Sequence, residues 1–207
     1  MIDLFLSAFI TFFVVIDPPG CAPIYASLTK GANAAQRRNM AFRAVMVASG
    51  ILLVFALFGE QLLSALHIEL NSFRIAGGIM LFLIAIDMVF EKRTERREER
   101  AQKIIDTPEI EDVSVFPMAM PMIAGPGSIA SVMLLMSQNS GIDRAGVILG
   151  ALATVLLLTL LALLAAGPIM RVLGANAEAV ITRLLGVLLG ALAAQFVIDG
   201  LRASFAG

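Results

Sequence analysis

Residues 14–25, "VVIDPPGCAPIY", place an aspartate, three prolines and a glycine inside an otherwise apolar stretch. Proline removes a helical hydrogen bond and clashes with the preceding turn, so the stretch predicts a helix that is broken in its middle. Asp17 follows 13 uncharged residues and precedes 12 more, which places it near the middle of a membrane-crossing helix. A carboxylate at that depth must be protonated, paired with a cation, or in contact with a polar cavity.

The composition of the whole chain supports a membrane location. Of 207 residues, 59% are hydrophobic and 15% are charged, and the mean hydropathy is +0.91. The net charge of -1, without a basic face, argues against a nucleic-acid partner. One cysteine and one histidine cannot form a zinc-type ligand cluster. We therefore expect an all-α integral membrane protein with the lipid bilayer as its surroundings.

Six runs poor in charge are long enough to cross or nearly cross about 30 Å of hydrocarbon as helices. They lie near 3–29, 41–66, 72–91, 113–138, 145–170 and 179–201. The polar stretch between the third and fourth runs reads as a solvated linker. The predicted division is a first three-helix repeat (1–91), a charged cytoplasmic linker (92–112) and a second three-helix repeat (113–207).

Basic residues predict the orientation. Twelve of the 15 Lys and Arg residues fall in or beside the loops that join spans 1 and 2, 3 and 4, and 5 and 6. Cytoplasmic loops carry the excess of basic residues. We therefore expect a multi-pass protein of the cytoplasmic membrane with both termini outward and the linker in the cytoplasm.

The two halves resemble each other. Pro19 aligns with Pro126, 107 residues later, and Arg74 aligns with Arg183, 109 residues later. Because each half has three spans, the second copy must lie inverted in the membrane, as in many secondary transporters. Spans 1 and 4 both carry Pro/Gly breaks, and matched broken helices in such repeats indicate a central substrate site.

The candidate binding residues come from these two breaks. A helix that starts after a break presents N–H groups and a positive dipole end to an anionic group. The candidates are Asp17, Pro18, Gly20, Pro23, Gly125, Pro126, Gly127 and Ser128. For Asp17 two interpretations stay open: a proton- or cation-coupling group beside the substrate, or a cap on the helix that follows it.

Three further polar residues rank lower. For Asn71 and Gln195, hydrogen bonds between helices are the default interpretation and ligand contact is the alternative. For Asp87, a solvated position near a helix end is favoured over a role in the site. Small residues in spans 3 and 6 predict close helix packing instead. These are Gly77, Gly78, Gly186 and Gly190.

Three motifs in order resemble one family. They are D-P-x-G-x-x-P at 17–23, R-x-x-G-G at 74–78 and "PMAMPMIAGPGSI" at 117–129. Together they resemble the MarC family of bacterial inner-membrane proteins, which is grouped with lysine-exporter-like transporters. The resemblance implies six spans in inverted repeats, and some members resemble carriers of small neutral amino acids such as glycine and alanine. Cys21 departs from the small or polar residues expected at its position.

The functional prediction is a secondary transporter of a small-molecule substrate, such as a small neutral amino acid. It would need no cofactor beyond a coupling H⁺ or Na⁺, and the sequence leaves a homo-oligomer open. The alternative is a non-transporting membrane protein that modulates drug tolerance or binds a partner through the linker. An enzyme is not expected, because no Ser/His dyad, metal set or paired catalytic carboxylates occur.

Overall fold

The computed structural model describes residues 1–90, 96–99, 101–102 and 112–205, with the backbone alone for 169–179. Most of the predicted linker therefore lies outside the described residues. The longer elements are α1 (Ile2–Ile16), α2 (Pro18–Leu28), α3 (Ala34–Ala65), α4 (Leu70–Val89), an irregular segment (Ser114–Ile123), α5 (Pro126–Gln138), α6 (Ile142–Leu164) and α7 (Ala166–Phe205). The described residues contain no strand, which confirms the all-α prediction.

The helix lengths fit a membrane protein. Within the described residues, five helices are long and apolar enough to cross a membrane, with Ile2–Leu28 taken as one span. A sixth span is present if Ser114–Ile123 and α5 count as one helix bent by 52°. Both Pro/Gly motifs therefore coincide with breaks in the helical path, as predicted.

Three helix bounds differ clearly from the hydropathy prediction. Helix α3 begins at Ala34 rather than 41, because the Asn33 and Gln36 side chains each accept the other residue's backbone N–H in a capping box. The fifth span ends at Leu164 rather than near 170, and α7 begins at Ala166 rather than near 179. Pro168 then falls in the first turn of α7, where a missing N–H leaves no helical hydrogen bond unmade.

The outer faces of the helices are apolar. Leu6 and Ile10 on α1, and Leu184 and Leu188 on α7, are exposed and lie one helical turn apart. A water-soluble protein of this size would cover such stripes with polar groups, whereas lipid solvates them. The first span is the most enclosed of the long helices. Of its 18-residue apolar segment 56% is buried, whereas the corresponding share is 28–39% in the other four. It therefore lies in the middle of the bundle.

Helices α4 and α7 cross closely, and glycines permit the approach. A Cβ on Gly78 would lie 2.9 Å from the Ala193 carbonyl oxygen, and one on Gly186 would lie 3.2 Å from the Ala85 oxygen. The earlier residue of α4, Gly78, thus meets the later residue of α7, and the later residue, Ala85, meets the earlier one. The two helices therefore run antiparallel. An inverted repeat requires this arrangement, although the division into repeats stays a prediction.

The other two glycines of the predicted packing set differ from each other. A Cβ on Gly77 would lie 2.8 Å from Leu134 Cδ1 of α5, so this glycine also permits a close contact. A Cβ on Gly190 would lie 3.6 Å from Ala85 Cβ, which is ordinary van der Waals contact. Close approach therefore needs Gly77, Gly78 and Gly186 more than it needs Gly190.

Candidate functional site

Asp17 forms the first break. Its backbone is left-handed, with φ 60° and ψ 66°, a conformation that aspartate tolerates better than most side chains. Its Oδ1 accepts the Gly20 backbone N–H at 3.1 Å, and its carbonyl oxygen accepts the Cys21 N–H at 3.0 Å. Pro18 and Pro19 have no N–H to offer. The start of α2 is thus closed by Asp17 itself, and the capping interpretation describes part of its role.

The other carboxylate oxygen of Asp17 forms a buried ion pair. Arg97 lies in the short helical stretch 96–99, and its Nη1 is 3.0 Å from Asp17 Oδ2. Asp17 is 1% exposed and Arg97 is 8% exposed, and among the side chains that the structure describes these are the two buried charges. Each neutralises the other in a place where neither could remain charged alone.

Arg97 belongs to the candidate site, although it was not identified from the sequence. It lies in the polar stretch that reads as a solvated linker, 80 residues after Asp17. A carboxylate at membrane depth does require a partner, and the linker is rich in arginine. That combination could have suggested an arginine as the partner, but no pattern distinguishes Arg97 from its neighbours.

Gly20 holds the Asp17 carboxylate against the first turn of α2. A Cβ at position 20 would lie 2.2 Å from Asp17 Oδ2 and 2.8 Å from its Cγ. No side chain fits there without moving the carboxylate away from both of its partners. The glycine of the first motif is therefore required by the ion pair as well as by the break.

The second break lies between Ser114–Ile123 and α5. Phe116 and Met120 are extended, and each precedes a proline, which disfavours helical backbone in the residue before it. Both peptide bonds to these prolines are cis. Gly125 is the N-cap residue of α5, and no side chain caps that end. A Cβ on Gly125 would lie 2.4 Å from the Pro121 carbonyl oxygen, so the chain can turn here only with glycine.

A cavity of about 380 Å³ lies beside the second break. Its polar lining combines the start of α5 with charged side chains of α4 and the linker. The lining residues are Val15, Ile84, Asp87, Arg96, Arg97, Phe116, Pro121, Met122, Gly125, Pro126, Gly127 and Ser128. Asp17 is not among them. Arg97 therefore contacts both the cavity and the buried carboxylate behind it.

Two serines stabilise the start of α5. The Ser128 hydroxyl donates to the Ile123 carbonyl oxygen at 2.7 Å, and the Ser131 hydroxyl donates to the Gly127 oxygen at 2.8 Å. Both side chains are buried. Their protons are thus used within the protein, while the Ser128 oxygen keeps acceptor capacity at the cavity wall.

Two exposed ion pairs connect the linker to the helices. Arg96 pairs with Asp87 of α4, and Arg43 Nη1 of α3 lies 2.6 Å from Asp112 Oδ2. Hydrogen bonding from Ser114, together with the nearby charge of Arg43, holds the pKa of Asp112 below its ordinary value. Exposed pairs contribute about 0–1 kcal/mol each, so they orient the linker more than they stabilise it.

The remaining candidates lie away from this cavity. Pro23 lines a separate recess, where Glu98 and Ala101 of the linker face α2. Asn71 is in the first turn of α4, and Gln195 donates to Asp199 Oδ1 at 2.8 Å on an exposed face of α7. Of the lower-ranked residues, only Asp87 lines the cavity. The structure thus brings together Asp87, Gly125–Ser128 and, through Arg97, Asp17.

These features define a polytopic α-helical membrane protein with two broken helices and a cavity, lined in part by charged side chains, beside the second break. Residues 2–205 match the family described as MarC family integral membrane protein. The chain belongs to the MarC family, and the resemblance drawn from its motifs is confirmed.

Known relatives extend over nearly the whole chain. A UPF0056 membrane protein of Methanocaldococcus jannaschii is 36% identical over 204 residues, covering 97% of each chain. The UPF0056 membrane protein YvbG of Bacillus subtilis is 34% identical and covers 99% of this chain and 97% of its own. No solved structure matches the chain. The names of these relatives describe membrane proteins and specify no cargo.

Proposed function

We propose that this protein is a secondary transporter that moves small solutes, of the class of glycine and alanine, across the cytoplasmic membrane. The observation that carries the proposal is the Asp17–Arg97 ion pair, buried at a helix break and bordering a cavity. Buried ion pairs are weak contributors to stability, since apolar side chains of similar volume often serve as well. Ionisable groups inside membrane spans are functional by default.

The cavity supports a small-molecule substrate. Its volume of about 380 Å³ is at the low end of the range for ligand sites. The uncapped start of α5 lines it, and helix N-termini favour carboxylates. Asp87 on the wall, and Asp17 behind Arg97, are acceptors for an ammonium group. Val15, Ile84 and Met122 supply apolar surface for a small side chain.

The remaining parts of the proposal follow from the sequence. Both termini would face outward and the linker would face the cytoplasm, because of the distribution of basic residues. Asp17 is the candidate for coupling to H⁺ or Na⁺. Beyond that ion the transport cycle would need no cofactor, and the protein would act as a carrier rather than an enzyme.

Flux measurements test the proposal. Liposomes that contain the purified protein are loaded with labelled glycine or alanine. Efflux of the label is compared between the wild type, Asp17→Asn and a matched control. Asp143→Asn is the control, since Asp143 lies exposed in the first turn of α6. We expect the wild type and the control to move solute and Asp17→Asn to lose most of the flux. Equal flux in all three would remove Asp17 from the mechanism.

Imposed gradients identify the coupling ion. Flux that responds to a pH gradient indicates H⁺, and flux that responds to a Na⁺ gradient indicates Na⁺. A drug-tolerance phenotype that survives Asp17→Asn but disappears when linker residues other than Arg97 are replaced would favour the non-transporting alternative.

A further inference from the structure

We propose that Arg97 is the counter-ion of Asp17 in the substrate-free protein, and that a zwitterionic substrate displaces it from Asp17. The substrate's ammonium would then pair with Asp17 and its carboxylate with Arg97. Arg97 thereby becomes the residue that selects zwitterions over cations and anions. This inference rests on the proposed transport function and adds a residue from the linker to its site.

The two oxygens of Asp17 have separate partners, which makes the exchange feasible. Oδ1 accepts the Gly20 N–H at 3.1 Å and keeps α2 capped, whereas Oδ2 is 3.0 Å from Arg97 Nη1. An ammonium group can replace the guanidinium at Oδ2 while Oδ1 stays on the backbone. The break in the first span therefore keeps its shape when Arg97 leaves.

Arg97 meets a new partner as soon as a carboxylate enters the cavity. Its side chain lines the cavity together with Gly127 and Ser128 at the uncapped start of α5. A guanidinium carries five N–H donors and binds carboxylates in a bidentate manner. The carboxylate would thus lie between Arg97 and a helix N-terminus, two groups that both favour an anion.

The surroundings allow the side chain to move while the linker stays in place. Ala101, four residues after Arg97, is buried against the hydrophobic core. The neighbouring Arg96–Asp87 pair is exposed and contributes little that would resist a shift. The long arginine side chain can therefore exchange partners without undocking the backbone that carries it.

The need to pair both buried charges explains the selectivity. A cation that took Asp17 would leave Arg97 buried without a counter-ion, and an anion that took Arg97 would leave Asp17 in that state. A zwitterion leaves neither group unpaired. A cation or an anion that leaves one partner of the pair uncompensated should therefore bind more weakly than a zwitterion, by a factor on the order of 100 or more.

Competition on the wild-type protein tests this directly. Uptake of labelled glycine is measured against unlabelled glycine, glycinamide as the cation and glycolate as the anion, three molecules of matched size. We expect glycinamide and glycolate to compete only at concentrations about 100-fold higher than glycine. If either one competes as well as glycine, the inference is overturned while the transport function stands. If labelled glycine is not moved at all, both proposals fail.

Two variants should shift the preference in opposite directions. In detergent, ligand-induced thermal stabilisation reports binding without requiring transport. Arg97→Gln should bind glycinamide better than the wild type does, and Asp17→Asn should bind glycolate better. Arg43→Gln is the matched control, because Arg43 pairs with Asp112 at an exposed position outside the cavity, and it should keep the preference for glycine. Loss of glycine binding in both variants without the opposite shifts would mean that the pair is only structural. If a variant does not fold, the wild-type competition decides alone.

Discussion

Removing Arg97 should destabilise the protein far more than removing an exposed arginine. In Arg97→Ala the Asp17 carboxylate, 1% exposed, loses its counter-ion 3.0 Å away. Breaking a buried pair in this way costs about 3–5 kcal/mol. Because water in the adjacent cavity can solvate part of the charge, we expect a loss near the lower end, about 3 kcal/mol. For a chain of this length that corresponds to a melting temperature lower by about 6–12 °C.

The protein contains its own reporter for this experiment. Cys21 is the only cysteine in the sequence, and it is fully buried in the first turn of α2, beside Asp17. A thiol-reactive fluorophore added during a temperature ramp in detergent therefore reports the opening of this turn. Arg43→Ala is the control and should shift the transition by no more than about 1 kcal/mol.

A double variant separates charge pairing from packing. In Asp17→Asn/Arg97→Gln no buried charge is left, and the Asn amide oxygen can still accept the Gly20 N–H. Compared with the single variants Asp17→Asn and Arg97→Gln, the loss in the double variant should fall short of the sum of the two single losses by about 1–3 kcal/mol. If Arg97→Ala melts like the wild type, or if the single losses simply add, the pair contributes nothing and the reasoning is refuted.

Two glycine substitutions test the close contacts. Gly20→Ala should destabilise by about 1–3 kcal/mol and lower glycine flux, because the new methyl group displaces the Asp17 carboxylate; Gly31→Ala, with no atom within 4 Å of its Cβ, should do neither. Gly78→Ala should destabilise by about 1–3 kcal/mol, since its Cβ would meet an α7 carbonyl oxygen. Gly146→Ala, in open space on α6, should be neutral or stabilising by up to about 1 kcal/mol. Thermal unfolding in detergent measures the stability of all four variants, and efflux from liposomes measures the glycine flux of the first two. Equal stability of Gly20→Ala and Gly31→Ala, or of Gly78→Ala and Gly146→Ala, would contradict the packing argument.

The proposed transport cycle gives the ion pair a purpose that stability does not. Together with the Gly20 N–H, Arg97 compensates the charge of Asp17 in the middle of the bundle, and in the proposed cycle it does so until substrate binds. A substrate that offers the same two charges can take over both interactions with little net change in electrostatic energy. Such balanced exchange keeps binding reversible, which a carrier requires in order to release its cargo.

Hydropathy and proline placement were sufficient to predict the helical membrane fold and both breaks. These are local properties, because a helix in lipid satisfies its own backbone hydrogen bonds and a proline disturbs only the turn around it. For the same reason the position of Asp17 at a break was predictable from the order of residues around it.

The partner of Asp17 could be decided only by the tertiary structure. Arg97 is 80 residues away, in a linker whose composition indicates solvation, and its burial depends on how 96–99 and 101–102 pack near α2. Sequence spacing carries no information on which arginine of a basic stretch reaches a given carboxylate. The burial of a charge is a property of the packed bundle, since it depends on which groups surround it in three dimensions.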